Sequence, residues 1–385
     1  MFEYFPKNYV WNLSIDIAIE SGAQIGEIDE MCRPLRDAAA RGEDAGTAEF
    51  FRSWVGMADK LAALASEDEA RGRHYSAATK LERAALYYQT AERMQAHGFA
   101  PRRQVFQQGQ DAFCKSMALG RRNYERVEIP YLGGVIPGIL TNASERGRRA
   151  PLLVYVNGLD SSKEMLYWSG LGRELLQRGV STLHIDQPGS GEALRLHQLV
   201  ATYDTERWAS KVVDYLETRA DVDARRIGMA GISLGGYYAP RAVAFEPRFA
   251  LGAVWGANHN WGEVQQRRLA REGDMPVPHY WEHVRWVWGA RDMDEFMQIA
   301  ARVHLNGVLD RVRVPFLVTH GSKDRQIPVE YAHQTYEQLV NSPKRELKLF
   351  DARTGGIEHV SVDNMSFGRS YIADWIAETF GTAVG

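Results

Sequence analysis

Apolar residues recur at two different spacings along the chain, which divides it into two regions. In the first, His74–His97 repeats Ala, Leu and Tyr at intervals of three and four residues, and the stretch from Ala48 to Gly98 contains no proline. Such spacing places apolar side chains on one face of a helix. Residues 1–123 are therefore predicted to be helical, with a further helix over Phe106–Leu119. No second copy recurs at a fixed period, so a helical repeat array is not favoured.

From Tyr124 onward, short apolar runs alternate with segments of helical pattern. Residues 124–143 predict two strands joined by a Gly-Gly turn. Pro151–Val156 is continuously apolar, as expected of a strand buried on both faces. The later predicted elements are helix Lys163–Gln177, strand Ser181–Ile185, helix Glu206–Arg219, a strand before Gly231, strand Phe249–Trp255, strand Val314–Thr319, helix Val329–Val340, strand Glu346–Phe350 and helix Asn364–Phe380. This alternation predicts an α/β fold, with a mostly parallel sheet and helices on both faces.

Residues 257–307 interrupt the alternation and are rich in Trp, His and Arg. An insertion here would cover the carboxyl edge of the sheet, where open α/β sheets bind ligands. We therefore expect a core over 124–385 with a helical cap insertion over about 257–307, and a helical cap or dimerisation region over 1–123. Five tryptophans suggest an aromatic or large apolar ligand, although packing in a core would account for several of them: Trp255, Trp261, Trp281, Trp286 and Trp288.

Composition narrows the class of protein. The 385 residues are 45% hydrophobic and 25% charged with a net charge of -3, so no basic surface for nucleic acid is expected. No apolar run has the length needed to span a bilayer, and the first residues lack a signal-peptide pattern. Cys32 and Cys114 are too few for a disulfide framework. These features predict a cytoplasmic protein with reduced thiols and no membrane partner.

The strongest chemical signal is Gly231-Ile232-Ser233-Leu234-Gly235, a G-x-S-x-G pattern between an apolar run and a helical segment. A serine is a poor nucleophile unless it is exposed beside a base, and a sharp strand-to-helix turn exposes it. The flanking glycines remove Cβ atoms that would clash in such a turn. The Leu234 N–H would then point to where an oxyanion can be stabilised. A tight glycine turn with no chemistry is the alternative.

A nucleophilic serine needs a base and a group that orients the base, in the chain order Ser, Asp or Glu, His. Asp324 follows the predicted strand Val314–Thr319, and His359 lies on the loop before the last helix. Both positions suit a triad with Ser233. The alternatives are a loop carboxylate and a surface histidine. His320, at the end of a strand, is interpreted as structural.

The second oxyanion donor should come from the loop after Pro151–Val156. Gly158 in this loop allows close approach of the backbone, and the N–H of Leu159, or alternatively of Asp160, is the candidate donor; an ordinary glycine turn is the other interpretation. No metal or cofactor is expected. His279 and His283 have helical spacing, but they lack the Glu and the third ligand of a zinc motif.

Five stretches together resemble one branch of the α/β-hydrolase superfamily, which contains 2,6-dihydroxypseudooxynicotine hydrolase and fungal polyketide-shortening pigment hydrolases. The stretches are NGLDSSKE (157–164), DQPGSGEA (186–193), GISLGGYYAPRAVA (231–244), HGSKDRQIP (320–328) and GGIEHVSVDN (355–364). The first two are the most specific, because the whole superfamily shares G-x-S-x-G.

This resemblance implies an α/β-hydrolase fold with an N-terminal helical region, the triad Ser233, Asp324 and His359, a homodimer, and hydrolysis of a C–C bond beside a ketone. It also implies a further catalytic carboxylate about 30 residues after the serine, which Glu263 matches by position; a plain surface glutamate is the alternative. A carboxylic-ester or lactone hydrolase with the same triad is a second interpretation of function. A binding protein without catalysis is a third.

Overall fold

The computed structural model describes residues 1–41, 47–144, 148–272 and 274–382. The chain divides into two compact units. One consists of Met1–Tyr124 together with Met275–His283, and the other consists of Glu125–Asp274 together with Val284–Gly385.

The first unit is helical, which confirms the prediction for the N-terminal region. Its helices are α1 (Tyr9–Glu20), α2 (Ile25–Cys32), α3 (Arg36–Ala39), α4 (Thr47–Ala70), α5 (His74–Arg93) and α6 (Pro101–Leu119). Helix α5 packs against both α4 and α6, and its residues from Ala84 to Arg93 are buried on every side. Helix α6 begins at Pro101, five residues before the predicted start, because a proline in the first turn needs no N–H donor.

Aromatic rings form the core of this unit. Trp11 meets Phe50 edge-on with 5.0 Å between ring centroids, and Phe50 stacks on Trp54 at 4.9 Å. Trp54 in turn contacts Tyr87 of α5 at 5.6 Å. These rings come from α1, α4 and α5, and their buried contacts hold the three helices together.

Met275–His283 belongs to the predicted cap insertion, yet it groups with the N-terminal helices. The buried Arg93 donates to the Pro276 carbonyl oxygen (Nη2–O 3.1 Å) and to Ser14 Oγ (Nη1–Oγ 2.7 Å). His97 Nδ1 lies 2.8 Å from Glu282 Oε1. No periodicity in the sequence indicated this grouping, because it rests on contacts between residues far apart in the chain.

The second unit is built on an eight-stranded sheet. Its strands are β1 (Glu125–Tyr131), β2 (Gly134–Thr141), β3 (Ala150–Val156), β4 (Ser181–Ile185), β5 (Val222–Ile232), β6 (Leu251–Trp255), β7 (Phe316–Gly321) and β8 (Arg345–Phe350). Their order is β1-β2-β4-β3-β5-β6-β7-β8, with β3 to β8 parallel and β2 antiparallel to β1 and β4. The prediction of a mostly parallel sheet is confirmed.

One predicted turn is displaced by a residue. Tyr131 pairs with Gly134, so the β1–β2 turn consists of Leu132 and Gly133, with φ of 45° and 79°. Positive φ at both central positions matches the right-handed twist of the flanking strands. Gly134 is the first residue of β2 and does not belong to the turn.

Helices cover both faces of this sheet. The helices that follow β2 in the chain are α7 (Lys163–Trp168), α8 (Leu171–Gln177), α9 (Gly191–Arg195), α10 (Glu206–Glu217), α11 (Gly235–Phe245), α12 (Trp261–Leu269), α13 (Tyr280–Trp288), α14 (Met293–Ala300), α15 (Glu330–Gln338) and α16 (Met365–Phe380). Helices α8 and α16 pack on one face of the sheet and α11 lies on the other. The predicted helix Lys163–Gln177 is two helices, because Gly170 takes a φ of 81° that no helix continues through. The described residues of 257–307, which omit 273, hold α12, α13 and α14 and contribute no strand to the sheet.

Alternation along β5 shows how the two faces are used. Ala230 and Ile232 belong to the apolar cluster formed with α8 and α16. Gly231 between them faces the start of α11 on the opposite side. Since β3 to β8 are parallel, their carboxyl ends lie along one edge, and the loops that follow them meet there.

Candidate active site

Ser233 occupies the turn between β5 and α11. Its φ is 58°, in the left-handed region that a non-glycine residue rarely adopts. The turn is fixed by two backbone hydrogen bonds, from Ser233 N–H to the Trp255 oxygen (3.0 Å) and from Gly236 N–H to the Ser233 oxygen (2.8 Å). A Cβ at Gly231 would lie 2.0 Å from the Gly235 oxygen, so this position requires glycine. The local sequence therefore forms a strained turn that presents the hydroxyl.

The structure brings Ser233, Asp324 and His359 together from three loops. His359 Nε2 lies 2.9 Å from Ser233 Oγ, and His359 Nδ1 lies 2.8 Å from Asp324 Oδ2. An ionised carboxylate can only accept, so Nδ1–H donates to Asp324 and Nε2 accepts from the serine hydroxyl. This arrangement can remove a proton from Ser233 and hold the resulting imidazolium beside a negative charge.

The Asp324 carboxylate is fully buried and fully engaged. Its Oδ1 accepts the N–H groups of Gln326 (2.8 Å) and Ile327 (3.0 Å), while Oδ2 accepts His359. Burial alone would raise the pKa of Asp324, but the neighbouring His359, which also donates a hydrogen bond to it, and the Ile327 N–H hold the pKa below its usual value. The Asp324 carboxyl group is therefore ionised in the folded protein at neutral pH.

His320, at the end of β7, supports Asp324 from behind. It is fully buried, and burial lowers its pKa, so the ring is neutral. Its Nδ1 accepts the Ala257 N–H (3.1 Å), which leaves Nε2–H to donate to the Ile327 oxygen at 3.0 Å. Nε2 is 3.6 Å from Asp324 Oδ2. His320 thus ties the loop after β6 to the loop that carries Asp324.

The loop of residues 157–162, between β3 and α7, lies against Ser233. A Cβ on Gly158 would sit 2.9 Å from Ser233 Cβ and 3.2 Å from its Oγ, so only glycine permits this approach. Neither the Leu159 N–H nor the Leu234 N–H donates to another group of residues 1–41, 47–144, 148–272 and 274–382. Asp160 follows Leu159 in the same loop and is partly exposed. The side chains of Leu159 and Leu234 are buried, and the role of their N–H groups as oxyanion donors stays a prediction.

Glu263 makes contacts typical of a helix cap. It is exposed in the first turn of α12, where its N–H donates to Asn260 Oδ1 at 3.1 Å. Its carboxylate accepts a hydrogen bond from Asn260 Nδ2 at 3.4 Å. An acidic residue at this position stabilises the helix N-terminus. Its catalytic role remains a prediction.

Three of the five tryptophans singled out in the sequence are core residues. Trp255 belongs to the apolar cluster under the sheet, and its indole N–H donates to Ser361 Oγ at 3.0 Å. Trp261 packs on Trp288 with 5.2 Å between centroids and on Phe296 at 5.8 Å. All three tryptophans are nearly fully buried. Packing therefore explains much of the aromatic content, as the alternative interpretation allowed.

Two negative findings apply to the described residues. No group of three or more His, Cys, Asp or Glu side chains in them is arranged to hold a metal ion. No helix among them combines the length and apolar character needed to cross a bilayer.

Comparison with known proteins identifies the family. Residues 174–381, more than half of the chain, match the family model described as the prolyl oligopeptidase family. The chain belongs to this family. Hydrolase LUC6 of a Fusarium species is 27% identical over 424 residues, which cover 99% of this chain and 99% of its own. The 2,6-dihydropseudooxynicotine hydrolase of Paenarthrobacter nicotinovorans is 27% identical over 332 residues, covering 85% of this chain and 83% of its own.

One solved structure has the same fold as the present chain over nearly the whole length of both. The crystal structure of 2,6-dihydroxy-pseudo-oxynicotine hydrolase has a TM-score of 0.77 and 24% identity, and the match covers 96% of this chain and 97% of that one. The predicted branch of the α/β-hydrolase superfamily is confirmed. The protein is an α/β-hydrolase enzyme.

Proposed function

We propose that this hydrolase uses Ser233 to cleave a C–C bond adjacent to a ketone in an aromatic or polyketide-like small molecule. The observation that carries the serine chemistry is the pair of contacts at His359, 2.9 Å to Ser233 Oγ and 2.8 Å to Asp324 Oδ2. Nucleophile, base and orienting carboxylate are thereby in hydrogen-bond reach of one another.

The geometry supports a covalent route. His359 takes the proton of Ser233 as Oγ attacks the ketone carbon, and the resulting oxyanion accepts the N–H groups of Leu159 and Leu234. Collapse breaks the C–C bond, and the carbon leaving group departs as an enolate or phenol-stabilised carbanion that takes the proton from His359. Water, deprotonated by His359, then hydrolyses the acyl-serine to a carboxylic acid and restores Ser233.

The ketonic substrate is inferred from kinship. The stretches at 157–164 and 186–193 resemble those of the C–C hydrolase branch, and one relative is named for the hydrolysis of 2,6-dihydropseudooxynicotine. In the same proposal the protein acts in the cytoplasm as a homodimer through its N-terminal helices, with no nucleic-acid or membrane partner. Light scattering would test the dimer, at about twice the 43.5 kDa of one chain.

A carboxylic ester or lactone is the alternative substrate class, and the position of Glu263 favours it. A carbon leaving group needs more help with protonation than an oxygen leaving group does. Glu263, the carboxylate expected to give that help, is exposed and hydrogen bonded to the neighbouring Asn260.

Product analysis by mass spectrometry tests the proposal. Purified protein is offered aryl 1,3-diketones and acyl-phenols beside simple aryl esters, with Ser233→Ala as the blank. We expect serine-dependent cleavage of the ketones, faster than that of the esters. Cleavage of esters alone would establish the alternative, and substantial turnover by Ser233→Ala would rule out the covalent route.

Glu263→Gln separates the two substrate classes further. If Glu263 assists protonation of a carbon leaving group, the substitution should lower kcat for ketones by about 100-fold and leave ester cleavage unchanged. Equal kcat values for ketones in the variant and the wild type would limit Glu263 to capping α12.

A further inference from the structure

Four buried charged residues and the partly exposed Arg126 lie next to the loop of residues 157–162. The Lys163 ammonium, 1% exposed, is 2.8 Å from Glu164 Oε1, 3.2 Å from Asp186 Oδ2 and 2.8 Å from Glu192 Oε2. Arg126 of β1 binds the Glu192 carboxylate through both terminal nitrogens, at 2.6 and 3.1 Å. These five residues are called the Lys163 cluster below.

Asp186 connects the cluster to the backbone of two loops. Its Oδ1 accepts the Lys163 N–H (2.6 Å) and Asn157 Nδ2 (3.1 Å), and its Oδ2 accepts the Glu192 N–H (2.8 Å) as well as Lys163 Nζ. Asn157 and Lys163 stand at either end of the loop 157–162. One carboxylate thus holds both ends of the segment that carries the Leu159 N–H.

Further hydrogen bonds lock the same two loops together. The Asn157 N–H donates to Gln187 Oε1 (3.0 Å), and Gln187 Nε2 donates back to the Asn157 oxygen (3.1 Å). The Gly191 N–H donates to the Ser161 oxygen at 3.2 Å. The stretches NGLDSSKE and DQPGSGEA, which stand out in the sequence, are therefore the two halves of one hydrogen-bonded assembly.

Holding a loop through buried charges costs free energy of desolvation. Buried ion pairs are often no more stabilising than apolar residues of similar volume. Three carboxylates face two cations here, and in the described part of the chain Glu164 Oε2 accepts no hydrogen bond. Burial and the adjacent carboxylates raise the pKa of Asp186 to about 6, against the opposing effect of Lys163. Such an arrangement makes sense where loop geometry matters more than stability.

We propose that Lys163 is a positioning residue for the oxyanion hole: through Asp186 and Glu192 it holds the loop 157–162 so that the Leu159 N–H faces the carbonyl attacked by Ser233. This inference rests on the proposed serine mechanism and assigns Lys163 no contact with substrate. Preorganised donors act only at the position where charge develops, and loss of one donor costs 10²–10³-fold in rate.

The test measures the rate at which an aryl fluorophosphonate labels Ser233, by mass spectrometry of the intact protein. In this reaction Oγ attacks phosphorus, fluoride leaves, and the phosphoryl oxygen occupies the oxyanion position. We expect Lys163→Met to be labelled about 100-fold more slowly than the wild type. With any substrate found, kcat should fall to a similar degree while KM changes little. Labelling at the wild-type rate would overturn the proposal.

Arg102→Met is the matched control. Arg102 and Glu92 form an ion pair in the helical unit with side chains only 4% and 3% exposed, so its loss removes an equally buried cation. We expect lower thermal stability with an unchanged labelling rate. An equal loss of rate in Arg102→Met would attribute the effect to general destabilisation and overturn the proposal.

Two further outcomes are distinguishable. If Lys163→Met does not unfold cooperatively, Asp186→Asn replaces it, because the amide keeps the volume but turns a donor toward a donor; we again expect slow labelling. If neither variant folds, the cluster is a folding element and the positioning role is wrong. If the wild-type Ser233 is not labelled at all, the proposed serine mechanism itself fails, and this inference fails with it.

Discussion

At the scale of single residues, Asp324 shows how the site obtains a permanent negative charge. Every contact on its carboxylate is a donor: two backbone N–H groups on one oxygen and His359 on the other. Donors stabilise the ionised form enough to overcome the cost of burial. The charge then fixes the tautomer of His359 that leaves Nε2 free to accept the Ser233 proton.

Asp324→Asn keeps the size of the side chain but not this pattern of acceptors. Its amide must turn NH₂ toward either His359 or the N–H groups of Gln326 and Ile327. We expect kcat to fall by about 10⁴-fold, as it does when the orienting carboxylate of a serine triad becomes an amide. The measurement is kcat at fixed pH on an established substrate, with Ser233→Ala as background. Near wild-type kcat would show that His359 does not need this carboxylate.

The same residue predicts a pH dependence of stability. The pKa of Asp324 is lower in the folded protein than in the unfolded chain, so the unfolded state binds more protons in acid. The stabilisation is fully present above the unfolded value of about 3.9 and is lost as pH falls through the lower folded value. Between pH 5 and pH 3, urea unfolding should show a smaller loss of stability for Asp324→Asn than for the wild type. Parallel pH curves would contradict this account.

At the scale of elements, glycines show where helices need close packing and where they do not. Gly56 lies on the exposed face of α4, and a Cβ there would meet nothing within 4 Å. Gly109 of α6 faces α5, where a Cβ would come within 3.3 Å of Gln89 Cγ and 3.4 Å of Tyr88 Cβ. The sequence pattern predicts a helix at both Gly56 and Gly109 and does not show that only Gly109 packs against another helix.

Gly56→Ala should therefore raise the free energy of unfolding by about 0.5–1 kcal/mol, because alanine loses less backbone entropy in a helix. Gly109→Ala should gain less or lose stability, since Gln89 and Tyr88 must move to admit the methyl group. Urea unfolding of both variants gives the comparison. Equal gains would mean that the α5–α6 interface accommodates a methyl group freely.

At the scale of the whole molecule, parallel strands bring together the three residues proposed as the triad. His359 is 126 residues from Ser233 and 35 from Asp324 along the chain. The three residues follow β5, β7 and β8, whose carboxyl ends lie along one edge. The chain also returns to its first unit: Met275–His283 groups with the N-terminal helices, where Arg93 binds the Pro276 carbonyl.

Arg93→Met should release that returning segment. We expect peptides covering 275–283 to exchange amide hydrogens at least about tenfold faster than in the wild type, because local opening becomes easier when a buried hydrogen bond is removed. Arg83→Met is the control, since Arg83 of the same helix pairs with Glu27 near the surface. Unchanged exchange over 275–283 in Arg93→Met would show that other contacts hold the segment.

The sequence by itself determined most of the helices and strands and the chain order of the residues proposed as the triad. Apolar periodicity depends on which face of an element is buried, so α5, β3 and β4 were predictable within a few residues. The strained turn at Ser233 was predictable because its steric demands are met by glycines two positions away. Asp324 and His359 followed from the rule that such groups stand on loops after parallel strands.

Only the tertiary structure decided the features that depend on contacts between distant residues. The Lys163 cluster joins a strand at one sheet edge to loops after β3 and β4, and no local pattern marks a lysine as buried. The grouping of Met275–His283 with the helical unit and the packing of Trp261 on Trp288 are of the same kind. Burial, charge compensation and ring packing are set by neighbours that the fold brings together, so the linear pattern does not specify them.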